Sequence, residues 1–386
     1  MPRKAWTALS VPKEKELEFN PLSLIPMAGK NPSFDFVWKD VSQKAGEHVP
    51  TQRRKKRRLI GRPNSVMKRL HQLFNEYLEK AINDIGTNEK DKESYTLRKM
   101  PSATGCVPGS NPYVNAKKHI GRRFCYITDF ADAYPSVDLH RLTTLLVFIF
   151  KHSVYGIDYA VRTFARNELA QFAMEADLLF PKMYSFVQFA FGGLYGKGLA
   201  VGGTLSPYLL NLYCEVYLDS RIRQHCEKTK DLKHPEKELV YSRYVDDLVF
   251  SSSTIISSER RGLLRQFIVE AGFHVNHRKS KVLDRSMGAV HITKVGLEES
   301  KTGTVIRFPQ KKRRRIEGMM KSYLAQPFQQ DKPEITRGMI AEFLYYYSQV
   351  TPTASDERTM KLCRKFNETS AAYRKRYKEQ VKRLCS

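Results

Sequence analysis

Two adjacent carboxylates in the run Tyr244-Val245-Asp246-Asp247 are the residues of this chain best placed to do chemistry. They lie between residues 239–245 and 248–250, both rich in β-branched and aromatic side chains, so the two acids fall where a two-residue hairpin turn is expected. Such a turn delivers both carboxylates to one point. Unpaired acids that close repel one another, and a divalent cation is the natural means of keeping both ionised near neutral pH. A solvated turn is the plain alternative, since Asp is common in turns, and the pair alone does not decide. A third acid bears on the choice. Phe124-Cys125-Tyr126-Ile127-Thr128 reads as a strand leading to Asp129, which an antiparallel sheet would set beside the hairpin. Three carboxylates meeting there would hold two Mg2+ ions, the arrangement used for in-line phosphoryl transfer.

The elements that must position these acids are partly legible. Asp138 is placed to cap a helix over residues 139–150, an apolar run too short to span a membrane and read as buried. A second helix follows Gly203-Thr204-Leu205-Ser206-Pro207, with Leu205, Leu209, Leu212 and Val216 on one face and Pro207 tolerated in its first turn. Helical spacing also marks residues 65–82 and 258–270, and a short strand is expected at 281–283. Leu362, Phe366, Ser370, Tyr373, Tyr377, Val381 and Leu384 recur at three- and four-residue steps, which predicts one amphipathic C-terminal helix. Residues 1–50 read as an irregular extension with isolated aromatics Phe34, Phe36 and Trp38.

The charge points to a polyanionic partner. Sixty-six Lys and Arg against 40 Asp and Glu leave a formal charge of +26 on 386 residues, which favours nucleic acid first and an anionic membrane second. No run of about 18 apolar residues supports a transmembrane span. The N-terminus shows no apolar signal core, so a cytoplasmic location is expected. Six cysteines are scattered without metal-binding spacing and read as reduced thiols.

In this order the motifs resemble those of bacterial reverse transcriptases of the retron and group II intron-like lineage. Asp129-Phe130-Ala131-Asp132-Ala133-Tyr134 is similar to the family's first catalytic motif. Gly203-Thr204-Leu205-Ser206-Pro207 with Asn211 resembles the segment supporting template and nucleotide, and Tyr244-Val245-Asp246-Asp247 resembles the Tyr-x-Asp-Asp box. Residues 272–282, Val295-Gly296-Leu297, Arg58-Leu59-Ile60 and Asn115-Ala116-Lys117-Lys118-His119 match further stretches. The likeness covers about residues 50–320. Two departures, Leu199-Ala200-Val201-Gly202 where the family has Leu-Pro-Gln-Gly and the missing Val-Thr-Gly near Val295, set the chain toward a divergent defence-associated or unclassified group rather than a true retron.

The resemblance implies an α+β right-hand polymerase with an antiparallel palm sheet and a helical thumb. Its expected divisions are an N-terminal extension at 1–50, fingers at 51–122, a palm at 123–300 with a fingers-like insertion near 155–197, and a basic thumb at 301–386. It implies RNA-directed DNA synthesis from dNTPs with two Mg2+ ions, or Mn2+ in their place, bound by Asp129, Asp246 and Asp247. Arg58, Tyr134, Gly203 and Lys279 are the implied nucleotide contacts, with Lys279 preferred over Lys281. A ring at Tyr134 beneath the sugar would clash with a 2′-hydroxyl and favour deoxynucleotides. Arg53, Arg54 and Lys55 on the fingers and Lys311, Lys312, Arg313, Arg314 and Arg315 on the thumb are expected to hold the RNA template and DNA product. An accessory effector protein or an oligomer, and a role in anti-phage defence, belong to the same expectation. Untemplated or protein-primed synthesis, and an RNA-binding module acting through a partner, remain alternatives.

Overall fold

The computed structural model describes residues 22, 24–40, 57–84, 99–151, 179–228, 238–300, 303–325, 333–348, 350 and 353–384. Arg53, Arg54, Lys55 and much of the expected insertion therefore lie outside the described residues. The first described sheet is a hairpin of β1 (Phe34–Asp40) and β2 (Arg57–Pro63) in full antiparallel register, followed by α1 (Ser65–Asp84). The stretch read as irregular thus supplies a strand. Its signal was the period-two alternation of Phe34, Phe36 and Trp38. Gly61 lets Phe36 and Phe34 close over the pair, because a Cβ there would stand 2.9 Å from the Phe36 ring.

After α2 (Pro112–Lys117) the chain builds the central sheet from β3 (Phe124–Ala131), β4 (Val240–Tyr244), β5 (Asp247–Ser252), β6 (His274–Val275) and β7 (Lys281–Asp284). Its order is β4-β5-β3-β6, with β7 also pairing β3, and every pairing is antiparallel. Strand alternation sorts the side chains. Tyr126, Phe130, Leu248 and Phe250 turn to one core, shared with α1, α3 (Leu139–Lys151), α4 (Leu179–Phe191), α5 (Ser206–Cys214), α6 (Ser220–Lys228) and α7 (Ser258–Glu270). Cys125, Ile127 and Val249 turn to the other face and a second core. The apolar run in α3 is fully buried from Leu145 to Phe150, and its first turn is capped by Asp138, which accepts from the backbone N–H groups of His140 and Arg141.

The second core is covered by a three-stranded sheet, β8 (Val290–Ile292), β9 (Val295–Ser300) and β10 (Gly303–Arg307), and by helices α8 (Gln310–Ala325), α9 (Pro333–Tyr347) and α10 (Ala354–Leu384). The expected boundary at residue 300 falls within that sheet. In α10 the buried line runs through Asp356, Thr359, Cys363, Phe366 and Ser370, one residue past the expected Leu362. Tyr323 of α8 meets Phe366 with ring centroids 4.7 Å apart. The five described cysteines are free thiols. No described helix is long and apolar enough to cross a membrane.

Candidate active site

The expected turn is displaced by one residue. Tyr244 pairs with Asp247, so Val245 and Asp246 form the turn and Asp247 opens β5. Val245 has φ +58°, a left-handed conformation that a β-branched residue adopts at a cost. A two-residue hairpin needs that conformation at its first position, and Val245 rather than Asp246 supplies it. Asp129 likewise lies inside β3 rather than after it, directly opposite Asp247 in register. Opposed residues of an antiparallel pair share a face, which brings Asp129 and Asp247 together on the face that carries Ile127 and Val249, away from the first core.

One oxygen from each of Asp129, Asp246 and Asp247 lies within 4.8 Å of the others. Like charges directly opposite destabilise a sheet, and burial sharpens the conflict. Burial, then Asp246 and Asp129, push the Asp247 carboxyl up to about 6. Asp246 is also raised, by burial and then by Asp129. Asp129 is 3 % exposed; its Oδ2 accepts from Lys279 Nζ and, at 3.2 Å, from Asn276 Nδ2. Its buried Oδ1 has no protein partner. Three hard oxygen donors and an orphaned buried carboxylate oxygen fit a divalent cation such as Mg2+ or Mn2+.

The other expected residues sort by placement. Tyr134 is half-buried, and its hydroxyl is held above the usual phenol range by burial, then Cys106 and Asp246. Lys279 pairs with Asp129, whereas Lys281 is exposed on β7. Arg58 is exposed on β2 and acts electrostatically on Asp246. Gly203 is buried beneath Ser206, whose Oγ donates to Ala200 O at 2.8 Å. At the Val201 position the backbone carbonyl accepts from Gly61 N–H at 2.8 Å, tying the β1–β2 hairpin to the turn before α5. Beside Asp247 a cavity of 560 Å³ opens toward β8–β9 and the helices, lined by Tyr113, Tyr244, Val249, Lys294 and Glu342 among others.

The basic run at the start of α8 divides. Lys312 is paired with Glu342 of α9 and Arg313 with the fully buried Asp356 of α10, so these two cations fasten the helices to one another. Lys311, Arg314 and Arg315 are exposed.

Sequence reasoning missed Arg243 and Asp219 behind the acids, and named Asn211, Asn115 and His119 only as parts of matching stretches, without their packing. Arg243 is completely buried, paired with Asp219, and donates to Asn211 and to the carbonyl of Val245. His119 is buried between Ser251 Oγ at 2.6 Å and Ser242 Oγ at 2.7 Å, and burial pushes its imidazole down to about 3. Ser242 in turn donates to Asn115 Oδ1 at 2.6 Å. An arginine inside a strand of apolar and aromatic residues was the available signal, with Glu215 and Asp219 in an otherwise apolar helix as its counterpart.

Three acids on antiparallel strands, helices packed on one face and a basic helical subdomain across a cleft define the palm and thumb of a right-hand polymerase fold. Residues 43–315 match the family of reverse transcriptases (RNA-dependent DNA polymerases), and the chain belongs to that family. It is 28% identical over 258 residues to the retron Mx65 reverse transcriptase of Myxococcus xanthus, a match covering 66% of this chain and 53% of that protein. The chain thus spans about half the length of that relative. Solved telomerases are also similar. One from Candida tropicalis in complex with a fragment of telomeric RNA aligns at TM-score 0.42 and 13% identity over 89% of this chain and 54% of that one. Another from Candida albicans aligns at TM-score 0.39 and 12% identity, over 76% and 50%.

Proposed function

We propose that the chain is an RNA-directed DNA polymerase that extends a primer with dNTPs. The observation that carries this reading is the meeting of Asp129, Asp246 and Asp247 within 4.8 Å, at the edge of a cavity between palm and thumb. When bound, divalent cations would polarise the attacking hydroxyl and neutralise the leaving pyrophosphate. The three carboxylates would hold the cations, Mg2+ or Mn2+. Lys279, carrying a proton beside Asp129, is positioned to steady charge on the phosphates, and Arg58 approaches from the fingers side. In this reading the Tyr134 ring lies beneath the incoming sugar and disfavours a 2′-hydroxyl. Exposed Lys311, Arg314 and Arg315 contact the backbone of an RNA–DNA duplex, which is gripped by shape and charge rather than sequence.

Product sequencing tests the reading: purified protein given a defined RNA and primer should yield DNA complementary to that RNA. A product unrelated to any supplied or co-purified RNA would replace templated copying by untemplated synthesis. The residue favouring that second reading is Val201, an apolar side chain where the family's nucleotide-contacting glutamine is expected. A divergent, defence-associated or unclassified grouping belongs to this proposal on the motif departures, and a cytoplasmic location belongs to it as an expectation. An accessory effector or an oligomer belongs to it as well. Cells carrying the gene should reduce phage plating, and unchanged plating removes the defence role.

A further inference from the structure

The Val245–Asp246 turn is backed by buried groups that hold its backbone. Arg243 Nη1 donates to Val245 O at 2.9 Å and to Asn211 Oδ1 at 2.9 Å. Asn211 Nδ2 donates to Gly105 O at 2.8 Å. Gly105 lies so near Val245 that a Cβ there would stand 2.6 Å from Val245 Cγ2 and 2.7 Å from Val245 N. The next carbonyl, Asp246 O, accepts from Phe130 N–H at 3.1 Å. Both peptide planes flanking Asp246 are therefore held, one by Arg243 and one by β3.

Arg243 is itself immobilised. Its Nε and Nη2 donate to both oxygens of Asp219, at 2.7–3.1 Å, and Tyr241 Oη donates to Asp219 Oδ1 at 2.7 Å. Its backbone N–H donates to Ser102 O, and its carbonyl accepts from Thr104 N–H, each at 2.8 Å. Asp219 reaches this position because the helix widens into a π-helical turn over Glu215–Asp219, a local form often kept at functional sites. Arg243 and Asp219 are both 0% exposed, so the guanidinium charge is matched where it lies. An unmatched arginine behind the acids would oppose the binding of a second cation; matched, it supplies geometry alone.

We propose that Arg243, Asn211, Asp219 and Gly105 are positioning residues that hold the left-handed Val245 turn, and so the spacing of Asp246 and Asp247 required to bind a divalent cation. The inference rests on the reading of those acids as metal ligands. Mn2+ binding to the purified full chain, followed by calorimetry and by the spectrum of free Mn2+, tests it without recourse to polymerisation. Asp246→Asn with Asp247→Asn establishes which binding belongs to the site. Asn211→Ala, which leaves the Arg243–Asp219 pair intact but removes the two hydrogen bonds of Asn211 to Arg243 and Gly105, should weaken that binding about tenfold or more. Gly105→Ala, which changes no charge and no hydrogen bond, should weaken it comparably by pushing the turn. Circular dichroism without metal shows whether each variant is folded at the measuring temperature; should Asn211→Ala not be, Gly105→Ala decides. Wild-type affinity in every folded variant overturns the proposal while leaving the metal reading in place. Wild-type Mn2+ binding that ignores the double Asn substitution overturns both.

Discussion

Replacing Asp247 by Asn should stabilise the metal-free protein at neutral pH, although Asp247 opens a central strand. The folded chain raises this carboxyl from its ordinary 3.8 to about 6, through burial first and then Asp246 and Asp129. A folded-state pKa above the unfolded one means the native protein holds the proton more tightly. Stability is then highest below about pH 4, falls as pH rises through about 6, and stays reduced above it. Two units correspond to about 3 kcal/mol, an upper figure because the site is partly open to solvent. For a domain of this size that is at most about 4 °C in Tm. Thermal unfolding in EDTA should show Asp247→Asn above wild type at pH 7.5 and level with it at pH 4. Adding Mg2+ should reverse the order, because only the wild type gains binding energy. An equal Tm difference at both pH values, or wild type the more stable in EDTA at pH 7.5, would refute the reasoning.

Tyr134→Ala should relax sugar selection by about tenfold or more, read as the ratio of ribonucleotide to deoxynucleotide incorporation; an unchanged ratio removes Tyr134 from that role. His119→Ala should cost about 2–4 kcal/mol in denaturant unfolding, because it strands Ser242 and Ser251, while leaving Mn2+ affinity nearly intact. Because burial holds the folded imidazole down to about 3 while the unfolded one protonates near 6.5, that cost should be largest at about pH 7–8 and shrink as pH falls below about 6.5. Arg314→Ala with Arg315→Ala should flatten the dependence of log K for a primer–template on log salt by about 1.4–1.8, if each cation neutralises one phosphate. Arg313→Ala should instead lower stability, since it leaves Asp356 buried without its ion pair.

Much of this site could be read before any coordinates. The three acids and Lys279 are short-range features, each carried by a strand or turn whose residues announce it, and the structure brings these four side chains together. The helix over Ser258–Glu270 and the buried run after Asp138 followed equally from periodicity and a cap. What stayed hidden depends on chain-distant pairing. Arg243 and Asp219 look like surface charges until a π-helical turn and the β4–β5 register bury them against each other. Lys312 and Arg313 resembled a nucleic-acid patch because sequence shows their charge but not Glu342 and Asp356, which meet them only in the folded helices. The one-residue shift of the catalytic turn had the same origin: strand register is fixed by pairing with β3, not by which residues favour turns.

The most direct measurement compares single-nucleotide primer extension on a defined RNA template for the wild type and for Asp246→Asn with Asp247→Asn, across Mg2+ and Mn2+. The wild type should add the complementary dNTP in a metal-dependent manner, and the double variant, folded by circular dichroism, should add none. Extension by the double variant at the wild-type rate would contradict the assignment of these acids as the catalytic centre.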